Sequence, residues 1–139
     1  MTIPSKPING DGMGEVTEVT DRSWEEVVER SDKPTLVMFH SPACPHCQAM
    51  MPHFEEYANE FKGKVKFVRI NIMVNSFMPE RYGVTATPTF KFFCGGKPVR
   101  EMVGAMYPSL LKKMVEEVLS HGAECARNST PIDYNVGYV

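Results

Sequence analysis

The sequence predicts an α/β domain, a mixed central sheet of four to five strands flanked by helices on both faces. The apolar run Leu36-Val37-Met38-Phe39 is long enough for a buried strand and too short for a helix. After the punctuated stretch His40-Ser41-Pro42-Ala43, the apolar residues Met50, Phe54, Tyr57, Ala58 and Phe61 recur at helical spacing. Strand and helix patterns go on alternating along the chain, which calls for right-handed crossovers. Near its end, Thr89 to Cys94 and Lys97 to Val103 flank Gly95-Gly96, the pattern of an antiparallel hairpin with a primed turn.

Taken in order, residues 1–14 are rich in Gly and Pro and offer no periodic apolar face, so they are expected to form a flexible tail. Residues 15–121 form the domain. Val16 to Val19 is a weak strand. Ser23 opens a capping box with Glu26, and Trp24, Val27 and Val28 give a short helix one apolar stripe, with Trp24 a core residue. Asp32-Lys33-Pro34 breaks that helix before the central strand. Pro52 lies inside the second helix, where it removes one hydrogen bond and introduces a kink, and Lys62-Gly63-Lys64 ends it. Val65 to Ile72 has the Val/Ile preference of a strand, and a short helix fits around Met78 to Tyr82. Thr87-Pro88 leads into the next strand, and an X-Pro bond at that place is a candidate for the cis form. Pro108 starts the last helix, in which Leu111, Met114, Val115, Val118 and Leu119 make one buried face, and Gly122 stops it. Residues 122–139 have no periodicity and form an irregular tail.

The chemistry concentrates in Cys44-Pro45-His46-Cys47, at the junction between turn and helix. The first turn of a helix leaves N–H groups unpaired and carries the positive end of the helix dipole, so a thiolate at Cys44 is stabilised there. Pro45 suits the first helical position. A protonated His46 adds a second positive influence beside the same sulfur. Such conditions lower a cysteine pKa from about 8.5 into a range of roughly 3.5 to 7.5. Cys47, one turn further on, faces inward and resolves a mixed disulfide by attacking Cys44. The alternative use of a C-x-x-C pair is half of a zinc site, but this chain has no second pair, and a strand-turn-helix context is the one redox pairs occupy.

The 139 residues are enough for one domain with a sizeable core, and a formal net charge of -2 with mixed signs excludes a basic nucleic-acid surface. No stretch has the length of a membrane span, and the N-terminal segment lacks the apolar core of a secretory signal. The expected setting is cytoplasmic, where a cysteine pair is more often catalytic than structural. A monomer is expected.

Over Val16 to Leu119 the chain resembles the thioredoxin family. The resemblance rests on the Cys44 to Cys47 motif after a buried strand, Pro52, Arg69-Ile70-Asn71-Ile72, Arg81-Tyr82-Gly83-Val84 before Thr87-Pro88-Thr89, and the Gly95-Gly96 and Gly104 positions around the last hairpin. It implies a thioredoxin fold with Thr87-Pro88 in the cis form beside the cysteines, the Thr87 backbone being offered to a substrate peptide. It also implies a protein-disulfide oxidoreductase that exchanges disulfides with protein disulfide or dithiol substrates and serves cell redox homeostasis. Catalytic roles then fall to Cys44, Cys47, His46 and Pro45, and substrate binding to Thr87 and Pro88. A thioredoxin reductase or another thiol donor supplies electrons, and neither cofactor nor metal is needed, because the cysteines carry the two electrons.

Thioredoxins usually carry Trp-Cys-Gly-Pro-Cys, whereas here Ala43 precedes the pair and Pro-His fills it, as in DsbA-type oxidants. Family members often bury an acid six residues before the first cysteine to manage the proton of the second. This chain has Met38 there, which leaves His40, His46 or water for that role. Rival functions are a non-catalytic peptide-binding module and a metal-binding dithiol. In the thioredoxin arrangement, Cys94 and the end of the last helix lie at the end of the sheet far from the active site. Cys125, three residues past Gly122, has a reach of about 10 Å and either meets Cys94 in a second disulfide or stands apart from it.

Overall fold

A computed structural model of the protein describes residues 16–104 and 106–120. The tails expected at 1–14 and 122–139, the stop at Gly122 and the pairing of Cys94 with Cys125 all fall outside the described residues. Within them are five strands and four helical segments, alternating up to the last two strands, which follow each other directly. They are β1 (Val16–Val19), α1 (Glu25–Glu29, a π-helical turn), β2 (Thr35–His40), α2 (Pro45–Glu60), β3 (Lys66–Asn71), α3 (Phe77–Arg81), β4 (Thr89–Cys94), β5 (Lys97–Val103) and α4 (Pro108–Ser120). The sheet order is β1-β3-β2-β4-β5. β3 runs parallel to both β1 and β2, β4 runs antiparallel to β2, and β5 closes the hairpin with β4.

Central β2 is buried along its whole length, as expected of a strand covered on both faces. Its alternation divides the core. Leu36 and Met38 point to one face, where Phe54 of α2 and Leu111 and Val115 of α4 pack with Phe67, Phe90 and Phe92. Val37 and Phe39 point to the other, where Trp24 and Val28 of α1 and Met78 of α3 pack with Val68, Ile70 and Phe93. Trp24 has no exposed surface and meets Phe93 edge-on at 5.2 Å between ring centroids.

Around Ser23 the structure differs from the sequence expectation. No capping box forms. Ser23 Oγ accepts the Thr20 N–H at 2.9 Å, Trp24 takes the cap position without a side-chain cap bond, and the Arg30 N–H reaches back five residues to the Glu25 carbonyl at 2.9 Å. The hydroxyl is drawn to the turn behind it and the helical turn is wider than an α-turn. At the far end of the hairpin, Gly95 and Gly96 have φ of 59° and 86°, as a type I′ turn requires at both central positions. A Cβ on Gly96 would stand 3.3 Å from the Glu29 backbone, so the turn is also packed closely against α1.

Candidate active site

β2 ends at His40, and the chain must turn at once to enter α2. Ser41 shapes that turn, its carbonyl accepting the Cys44 N–H at 3.1 Å and its hydroxyl the Ala43 N–H at 3.2 Å. Gln48 ties the turn to the helix by donating from Nε2 to the Pro42 carbonyl at 2.7 Å. Cys44 is then the helix cap, extended in backbone (φ -95°, ψ 111°), with Pro45 at the first helical position. Its sulfur takes the place of a capping oxygen and accepts the Cys47 N–H at 3.1 Å. The expected junction is therefore the observed one, with Cys44 partly exposed and Cys47 buried.

The two thiols are driven apart. Burial pushes the Cys44 thiol up, but hydrogen bonds from the Cys47 and Thr87 side chains and from the backbone N–H groups of Cys47 and His46 outweigh it, and the net shift is downward. Cys47 is pushed up to about 11, first by burial and then by its hydrogen bond and charge interaction with Cys44. A thiol that ionises early thus stands beside a partner that holds its proton.

Pro45 and His46 are exposed, and His46 acts on Cys44 through its backbone N–H. The sequence pointed instead to its imidazole. The Thr87-Pro88 peptide bond is cis, with Pro88 buried and Thr87 half-buried. The Thr87 side chain also acts on both thiols, lowering each, an influence that sequence reasoning, which offered only its backbone to a substrate, did not find. Its only signal was a hydroxyl residue before the proline. Met38 packs in the core, and no acid replaces it in the strand. Beside Cys47 there opens instead a cleft of about 440 Å³ that also receives His40, Glu18, Arg69 and Met51. Among the described residues no group of three or more His, Cys, Asp or Glu side chains is arranged to hold a metal ion.

A family model described as Thioredoxin matches residues 15–117. Thioredoxin 1 of Nostoc sp. is 35% identical over 107 residues, which are 77% of this chain and 100% of that protein. The thioredoxin of Haemophilus influenzae is 36% identical over 105 residues, 76% of this chain and 98% of its own. A chloroplastic M-type thioredoxin of Pisum sativum is 33% identical over 109 residues, 78% of this chain and 63% of its own. With the five-stranded order, the helix-capping cysteine and these matches in agreement, the chain belongs to the thioredoxin family.

Proposed function

We propose that Cys44 attacks disulfides of protein substrates and that Cys47 resolves the mixed disulfide so formed. The protein is a thiol-disulfide oxidoreductase of cell redox homeostasis. The thiolate of Cys44 attacks one sulfur of the substrate disulfide, forming a new S–S bond and releasing the other sulfur as a thiolate, which takes up a proton. Cys47 then loses its proton and attacks the Cys44 sulfur, and the second substrate thiolate departs. Two electrons have passed to the substrate and the protein holds a Cys44–Cys47 disulfide. Run backwards from that disulfide, the same steps oxidise a dithiol.

One observation carries the assignment of roles. Cys44 caps α2 with its sulfur on the Cys47 N–H at 3.1 Å, and its thiol is lowered while that of Cys47 is raised to about 11. A stabilised thiolate favours the reduced form, so the pair is more oxidising than an unperturbed dithiol. Thr87 and Pro88, beside the sulfurs, hold the substrate peptide through the Thr87 backbone, while Pro45 and His46 shape the start of the helix. Reduction by a thioredoxin reductase or another thiol donor, a monomeric state and a cytoplasmic location complete the reading. The relatives named without an organelle support that location, and cell fractionation distinguishes it from the chloroplast named for the pea relative.

Insulin reduction by dithiothreitol tests the function. The wild type is expected to accelerate it and Cys44→Ser to abolish the acceleration. An undiminished rate in Cys44→Ser would leave a peptide-binding module in place of the enzyme.

A further inference from the structure

Resolution of the mixed disulfide poses a proton problem. Burial, the first cause that raises the Cys47 pKa, persists when Cys44 is held in the mixed disulfide, so Cys47 keeps its proton at pH 7, yet it is the thiolate that attacks. Some group must take the proton as the sulfur reacts. Met38, on the same face of β2, has none to exchange, and its cross-strand partner is Arg69.

The cleft beside Cys47 contains one suitable acceptor. β1, β2 and β3 place Glu18, His40 and Arg69 on the face of the sheet that α2 covers, and Cys47 and Met51 of α2 form the opposite wall. Arg69 is spent on Glu18, its Nε donating to Oε1 at 2.6 Å, while its Nη1 lies 3.5 Å from the Met51 sulfur. His40 is 9% exposed, and its Nε2 is buried without a hydrogen-bond partner. The other Glu18 oxygen, Oε2, lies 3.8 Å from Nε2. A buried polar atom left unpaired costs free energy, and here it belongs to a side chain that lines the same cleft as a thiol that must lose a proton.

We propose that His40 accepts the Cys47 proton across this cleft during the resolving step, with Glu18 and Arg69 setting its readiness to do so. The inference rests on the disulfide-exchange reading above. The proton moves from the Cys47 thiol to Nε2, the thiolate bonds to the Cys44 sulfur, the Cys44–substrate bond breaks, and the departing thiolate takes a proton from the imidazolium or from water. The charges around His40 suit a transient acceptor. Burial and the Arg69 charge work against its protonation and Glu18 works for it, with a net lowering that leaves the imidazole neutral and able to accept at pH 7. Once protonated, it lies 3.8 Å from the Glu18 oxygen that Arg69 Nε does not engage. Apart from Cys47, Glu18 and Arg69 are the titratable or charged side chains that line the cleft with it.

Stopped-flow mixing of the reduced protein with 5,5′-dithiobis(2-nitrobenzoate) separates the two steps. Coloured thiolate is released first as Cys44 attacks and then, in a phase independent of reagent concentration, as Cys47 resolves. The wild-type second phase should reach a plateau once His40 is neutral. In His40→Gln it should be about a hundredfold slower at pH 7 and rise tenfold per pH unit towards the Cys47 pKa. A second phase in His40→Gln with the wild-type rate and pH profile would overturn the proposal. Should that protein fail to fold, Glu18→Gln, altered at a half-exposed side chain, supplies the decision. Loss of the carboxylate should shift the midpoint of the second phase to lower pH, and an unmoved midpoint would equally overturn it. Absence of the first phase in the wild type would contradict the disulfide-exchange function itself.

Discussion

At the scale of single residues, the site works by unequal treatment of two identical thiols. Cys44 gathers donors from the Cys47, Thr87 and His46 positions, and Cys47 is desolvated. Alkylation by iodoacetamide across pH should therefore give a Cys44 midpoint below the ordinary thiol value of about 8.5 and a Cys47 midpoint near 11. A Cys44 midpoint at or above 8.5 would contradict the hydrogen-bond geometry. The part played by His46 can be dissected with two substitutions. His46→Pro removes the N–H that supports the Cys44 thiolate, and should raise the Cys44 pKa and lower the reduction potential, by about 30 mV for each tenfold change in the exchange constant. His46→Ala keeps that N–H, so its potential should stay close to wild type. If His46→Ala fell as far as His46→Pro, the imidazole and not the backbone would be the tuning group.

Among the elements, α2 decides the geometry, since it carries both cysteines and is fixed by what its far side buries. Phe54 has no exposed surface and meets Phe67 edge-on at 5.1 Å and Phe90 at 5.9 Å between centroids. Phe54→Ala should cost about 3–5 kcal/mol, read from urea unfolding, and a loss under about 1 kcal/mol would mean that α2 is anchored elsewhere. Elements of this kind were legible in the sequence because their signals are local. Helical spacing gave the buried face of α2, the Gly95-Gly96 pair gave the hairpin, and Pro45 gave the helix start. Ser23 misled because a hydroxyl before a helix can bond backwards as readily as forwards, and it took the Thr20 N–H. Glu18 and Arg69 escaped notice as a pair because they meet only through the β1 to β3 register, across 51 residues of chain. Alternation within each strand shows which residues share its face, but not which strand will lie alongside.

For the whole molecule, one sheet separates two apolar layers and brings the ends of β1, β2 and β3 beneath the start of α2. Keeping His40 neutral there has a consequence for stability. Its pKa in the folded protein lies below the ordinary 6.5, so the unfolded chain binds the proton more readily, and stability is lost as pH falls below about 6.5. Urea midpoints should fall between pH 7 and 5 by more in the wild type than in His40→Gln, and an equal fall in both would show that His40 is not desolvated. The division of labour between the thiols can be tested most directly by trapping. Cys47→Ala, which retains the proposed nucleophile and lacks the proposed resolving thiol, should form a covalent adduct with a disulfide-bonded protein such as insulin, linked through Cys44 and dissolved by dithiothreitol. Peptide mapping that finds no adduct on Cys44, or a Cys44→Ala protein that accumulates the same adduct through Cys47, would contradict the assignment of Cys44 as nucleophile.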